Sequence, residues 1–169
     1  MTTQREFHLQ LEQSAPAVSE SLINTVTEDF PGKKEFIQFY LEHNGGYPPS
    51  PDAHLYRDRV YNLSTDDYNA MHVEGFYFIP HYPDEKFNIL MSITRVRKMH
   101  ATYSEAAKNF SRTHIPFAFD ASGNEYWIDI NIGRVVYINL ERENEIIDNI
   151  APSFSDFIEN IEPTLRKSK

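Results

Sequence analysis

The sequence predicts an α+β domain: a central antiparallel or mixed sheet, with N-terminal helices and a C-terminal helix packed against it. Three observations carry this. Apolar residues recur at helical spacing near both ends, over 18–41 and again over 154–165. Between them, residues 126–140 alternate with period two. The segments joining those strands are too short for a parallel crossover, so an antiparallel meander is expected. A chain of 169 residues fits one domain, taken as 1–169 with fraying expected at 1–15 and 164–169.

The elements follow in order. Val18, Leu22, Ile23 and Val26 indicate a helix over about 16–28, which Phe30-Pro31-Gly32 breaks. Phe36, Ile37, Tyr40 and Leu41 form the stripe of a second helix over about 33–43. Asn44-Gly45-Gly46 stops it, because Asn and Gly take a left-handed conformation cheaply. Pro48, Pro49 and Pro51 enforce an extended loop. Residues 54–64 read as a weak strand and 66–71 as a short helical turn. Gly75-Phe76-Tyr77-Phe78-Ile79 is strand-prone. Residues 87–93 fit either a strand or a short helix, and periodicity does not decide between them. Tyr103, Ala106, Ala107 and Phe110 mark a further helix.

The last third is clearest. Residues 115–119 read as a strand whose Pro116 points to a sheet edge or a strand start. Asp120 to Asn124 form a turn. Tyr126, Ile128, Ile130 and Ile132 then alternate with Glu125, Trp127, Asp129 and Asn131, which predicts one buried face and one solvated face. After Gly133, Val136, Ile138 and Leu140 line one side of the next strand. Ser153 caps the final helix with Asp156 in its first turn. Phe154, Phe157, Ile158, Ile161 and Leu165 form its stripe. Ile128, Ile130, Val136 and Ile138 are expected to lie beneath that helix, with helices on one sheet face.

Composition excludes several chemistries. There is no cysteine, so disulfide, iron–sulfur, thiolate-zinc and Cys-nucleophile sites are out. The 25 acids outnumber the 16 bases, leaving a formal charge of −9. Nucleic acid is repelled by such a mean field, so no nucleic-acid partner is expected. No apolar run reaches the ~20 residues that span a bilayer, and no membrane partner is expected. The polar start Met1–Glu6 lacks a leader core, so a cytoplasmic location is expected.

No GxGxxG, Walker, GxSxG or HExxH motif occurs, and no two of the seven histidines stand at i+2, i+3 or i+4. We therefore expect no enzyme activity, no cofactor and no metal. Asp120 to Glu125 superficially resembles a calcium loop, but Glu125 stands where position six needs Gly. The candidate residues are instead a partner-binding set. Glu141, Glu143, Glu145 and Asp148 belong to the densest acidic run, which suits steering of a basic partner. Glu125 and Asp129 flank Trp127 on the expected solvated sheet face, an aromatic beside acids. Arg95, Arg97, Lys98, Lys108 and Arg112 form a basic counter-cluster.

The order of motifs resembles the SMI1/KNR4 (SUKH) superfamily. The matching pieces are Phe36 to Gly46 with its His43-Asn44-Gly45-Gly46 end, Ile115-Pro116-Phe117-Ala118-Phe119-Asp120, Gly123-Asn124-Glu125-Tyr126-Trp127-Ile128-Asp129-Ile130, Gly133-Arg134-Val135-Val136-Tyr137, and Ala151 to Ile158. Ser122 stands where the family often has a first Gly. The resemblance implies a mixed sheet-and-helix domain without catalytic residues, and structural roles for Gly45, Gly46, Asn124, Phe154 and Phe157. It also implies a bacterial immunity protein that blocks a polymorphic or contact-dependent protein toxin, often a nuclease; that the toxin is basic is expected from the chain's own charge of −9. The alternative it implies is a regulatory or scaffold domain of the cell-wall-synthesis type. No interface residue follows from the motifs themselves.

Overall fold

A computed structural model describes residues 7–57, 70–140 and 145–163. In chain order its elements are α1 (Glu20–Val26), α2 (Lys33–Glu42), β1 (His54–Tyr56), β2 (Ala70–His72), β3 (Gly75–Phe76), α3 (Ile93–Ala101), α4 (Glu105–Thr113), β4 (His114–Phe119), β5 (Glu125–Asp129), β6 (Val135–Asn139), β7 (Glu145–Ala151), α5 (Phe154–Glu159) and β8 (Ile161–Glu162). Strands β3-β4-β5-β6-β7 form one antiparallel sheet in that order, and β2-β1-β8 a smaller one. The α+β class and the meander are as expected.

Register assigns the faces, because residues opposite each other across a ladder point the same way. Tyr126 opposes Tyr137 and Ile128 opposes Val135, whereas Trp127 opposes Val136 and Glu125 opposes Ile138. On the Tyr126 side, Phe157 of α5 packs 5.0 Å from Tyr126 and 5.1 Å from Phe117. Phe154 reaches Phe36 and Phe39 of α2 at 5.1 and 5.6 Å. On the other side, His100 of α3 and Phe110 of α4 lie 4.9 and 5.2 Å from Trp127. Helices therefore cover both sheet faces, not one. Val136 and Ile138 lie under α3 and α4 rather than under the C-terminal helix.

The same layering corrects the reading of β5. Glu125, Tyr126, Trp127 and Ile128 are all buried. Period two survives as an alternation between two cores, not between a core and solvent. A register shift between Pro116 and Ala118 lets β4 turn Phe117 toward α5. β4 is not an edge strand, but β3 pairs only with Ala118 and Phe119, so Pro116 lies where a second ladder partner is missing.

Other elements differ from expectation for local reasons. α1 runs only from Glu20, capped by Ser19, which accepts from Leu22 N. α3 runs through residues for which the sequence pattern predicts no element beyond 93. Its buried residues are just Ile93 and Val96, among Arg95, Arg97 and Lys98, so its stripe is thin. β7 forms where the sequence shows an acidic run and no strand period, because residues 145–149 are exposed or half-buried along an edge. Residues 70–72 form a strand rather than a helical turn, and the rest of the 58–69 stretch lies outside the described residues. α5 ends at Glu159, and Ile161 leaves the helical stripe to pair with Leu55. Leu165 lies outside the described residues.

The glycine pair after α2 is sterically required. Gly45 and Gly46 have φ of +73° and +120°. A Cβ on Gly46 would stand 2.4 Å from the Glu12 carbonyl oxygen, and one on Gly45 would stand 2.8 Å from that of Phe76. Asn44 beside them donates to Pro16 O and Ile79 O and accepts from Ile79 N, tying the N-terminal segment to the stretch that follows β3.

Candidate functional site

On the face covered by α3, the helix and the 87–91 turn stand off from the sheet. The space between them is a cleft of about 560 Å³, lined by Tyr47, Glu74, Tyr77, Met91, Val96 and Phe119 among others. Its mouth carries Ile89, Tyr103, Met99 and Leu140, which are 89%, 76%, 53% and 41% exposed. Contiguous exposed apolar side chains of this kind mark interaction surfaces.

Glu125 lies at the floor, only 6% exposed. β5 places it beside Phe119 of β4 and Ile138 of β6. Tyr77, just past β3, stacks on Phe119 at 4.9 Å and donates its hydroxyl to Glu125 Oε2. Burial pushes the Glu125 carboxyl up to about 7, against the opposing pull of the Tyr77 hydroxyl. The Trp127 indole N–H also favours the ionised carboxyl, though it completes no hydrogen bond. Burial raises the Tyr77 phenol far above its ordinary value, and the Glu125 charge adds to this. His100, at the cleft wall, is held below the usual histidine range by burial. Among the described residues the lining contains two carboxylates, Glu74 and Glu125, and neither Lys nor Arg.

The sequence-chosen residues are scattered by the fold. Trp127 is fully buried and Glu125 nearly so, which overturns their placement on a solvated face. The reason is the α3–α4 cover. Asp129, at the end of β5, lies 3.8 Å from His114 and accepts the Asn131 N–H. Glu145 is exposed on β7 and lines a separate polar hollow of about 770 Å³ with His54, His72 and Asp120. Asp148 is exposed, 3.8 Å from Arg134. Glu141 and Glu143 lie outside the described residues. Among the described candidates, only Glu125 joins the cleft. In the sequence Tyr77 and Tyr103 mark only a strand and a helix, and Met91, Met99 and His100 carry no functional signal, because segments distant in sequence contribute these cleft residues and no local spacing records that.

Other candidates resolve into structure. Asp120 Oδ1 accepts from Ser122 N and Asn124 N, and Oδ2 accepts from the Tyr137 hydroxyl, which makes the 120–124 segment a pinned turn. His72 Nδ1 accepts from Ala121 N and its Nε2 meets Pro51 O, so both ring nitrogens are engaged although His54 stands 5.0 Å away. Arg97 in the basic cluster pairs with Glu28. Among the described residues no three His, Asp or Glu side chains converge as metal ligands, and no helix is long and apolar enough to cross a membrane.

No curated protein and no solved structure matches the chain. A family model does: SMI1 / KNR4 family (SUKH-1), over residues 19–160. That span takes in every element from α1 to α5, and the chain belongs to this family.

Proposed function

We propose, from this family membership, that the chain is a non-enzymatic binding module whose partner is a protein toxin, and that it acts as an immunity protein by covering the toxin's active site. The match over residues 19–160 carries the reading, since SUKH-1 membership supports a protein-binding or immunity-type domain. The geometry of the cleft is consistent with binding: apolar side chains form most of its lining, and Ile89, Met99 and Tyr103 at its mouth are exposed. The exposed apolar rim is of the kind found at protein interfaces. The toxin is read as basic and of nuclease type because a chain of charge −9 attracts a nucleic-acid-binding surface and sets carboxylates where phosphates would lie. Action in the cytoplasm follows from that role.

The test is co-expression with the toxin domain encoded beside the gene. Growth rescue and a stoichiometric complex on gel filtration are expected. Toxicity that persists, with no complex, sinks the immunity reading and favours a regulatory or scaffold domain with another protein partner. One equivalent of tightly held zinc in the purified protein would contradict the non-enzymatic part.

A further inference from the structure

The cleft is built for a particular chemistry. Its walls are apolar, with Met91, Val96 and Phe119 inside and Ile89, Met99 and Tyr103 at the mouth. Its volume of about 560 Å³ is within the range of sites that enclose a ligand or a short peptide segment. At the floor a single carboxyl, 6% exposed, receives one hydroxyl from Tyr77, and among the described residues no Lys or Arg lines the cleft with it. A buried carboxylate without a cation is costly, and an arriving cation removes that cost. Among the described residues the other carboxylate lining the cleft is Glu74, which repels anions.

We propose that this cleft is the partner-docking site and that it receives a lysine or arginine side chain of the partner. The methylenes lie on Met91, Val96 and Phe119, and the cationic head meets Glu125. This deepens the protein-binding reading above and rests on it. An acidic side chain is repelled, and a purely apolar one leaves the carboxyl without its counter-charge. The chain's charge of −9 steers the same class of partner.

Docking of a cation is coupled to proton release. Glu125 titrates at about 7, so the ionised, binding-competent form is the minor one below neutrality. Tyr77 and Trp127 act on it directly, and the other titratable groups that line the cleft among the described residues are Tyr47, Glu74, His100 and Tyr103. Of these, His100 also gains charge as pH falls and opposes a cation in the same direction.

The probes are n-hexylamine, which is cationic throughout this pH range, n-hexanol, n-hexanoate, and the peptide Ac-Leu-Lys-Leu-NH2. Each is titrated against the full chain at pH 6 and pH 8, following the methyl resonances of Met91 and Met99. We expect the amine to bind roughly five- to tenfold more tightly at pH 8, following the ionised fraction of Glu125. Hexanol should show no pH dependence, hexanoate should not bind, and the peptide should bind more tightly than the amine. Glu125→Gln should bind amine and alcohol alike. Tyr103→Ala, at an exposed position, should weaken the peptide without lowering Tm.

Unshifted cleft methyls, or equal binding of amine and alcohol at both pH values, overturn the proposal. An amine that binds while the peptide does not overturns the protein occupant and leaves a small-amine site. A toxin complex that forms unchanged with Glu125→Gln and Tyr103→Ala overturns the cleft alone. Absence of any toxin complex with the wild-type chain overturns the immunity reading instead.

Discussion

Glu125 ties folding to pH as well as lining the cleft. Its folded value of about 7 stands above the ordinary 4.5. Below about 4.5 the carboxyl is neutral in both states and its burial carries no charge penalty. As pH rises through 7 the unfolded chain ionises first, and that advantage is lost. The difference amounts to on the order of 3 kcal/mol between those limits. Glu125→Gln keeps an acceptor for Tyr77 but does not titrate. Its stability relative to wild type, from urea melts, should therefore rise by about 2–3 kcal/mol from pH 4.5 to pH 8; a flat difference would place the carboxyl in a wetter setting. Lys33 is a second buried charge with a structural task. Its ammonium donates to Thr27 O, Thr27 Oγ1 and Glu28 O, satisfying carbonyls at the end of α1. Lys33→Met strands these acceptors and should cost about 1–3 kcal/mol in the same melts.

α5 illustrates how little helix an element needs when its packing is good. It is six residues long, far below the length at which an isolated helix holds in water. Ser153 accepts from Asp156 N and donates back to Asp156 Oδ2, closing the N-terminus. Phe154, Phe157 and Ile158 then fill the space between α2 and the sheet. Phe157 contacts Phe76, Phe117 and Tyr126, so Phe157→Ala empties a fully buried site shared by three strands. The expected loss is about 3–5 kcal/mol. A loss below about 1 kcal/mol in denaturant melts would mean the stripe does not pack there.

At the scale of the whole molecule, charge is the strongest signal. Exposed Glu145 and Asp148 extend the acidic run along the β7 edge. Reversing Glu141, Glu143 and Glu145 together to Lys should slow association with a basic toxin by roughly tenfold at low salt and flatten its salt dependence. Folding should change by less than about 0.5 kcal/mol. Wild-type association rates and salt slope in stopped-flow mixing would make this run a solvated face and leave docking to the cleft.

The sequence by itself determined the α+β class, the meander, the helix stop at Asn44-Gly45-Gly46, the Ser153 cap and the family. Each is written in near neighbours: period, turn chemistry, capping and steric need act over a few residues. Which face of β5 was wet was not written there. Trp127 at the centre of an alternating strand reads the same whether water or a helix covers it. The cover is supplied by α3 and α4, residues 93–113, and α3's stripe is too thin to announce itself. Only tertiary structure turned Glu125 from a surface acid into the floor of a cleft. Its neighbours Tyr77, Met91 and His100 come from separate segments, and burial among them, not spacing along the chain, sets its proton affinity.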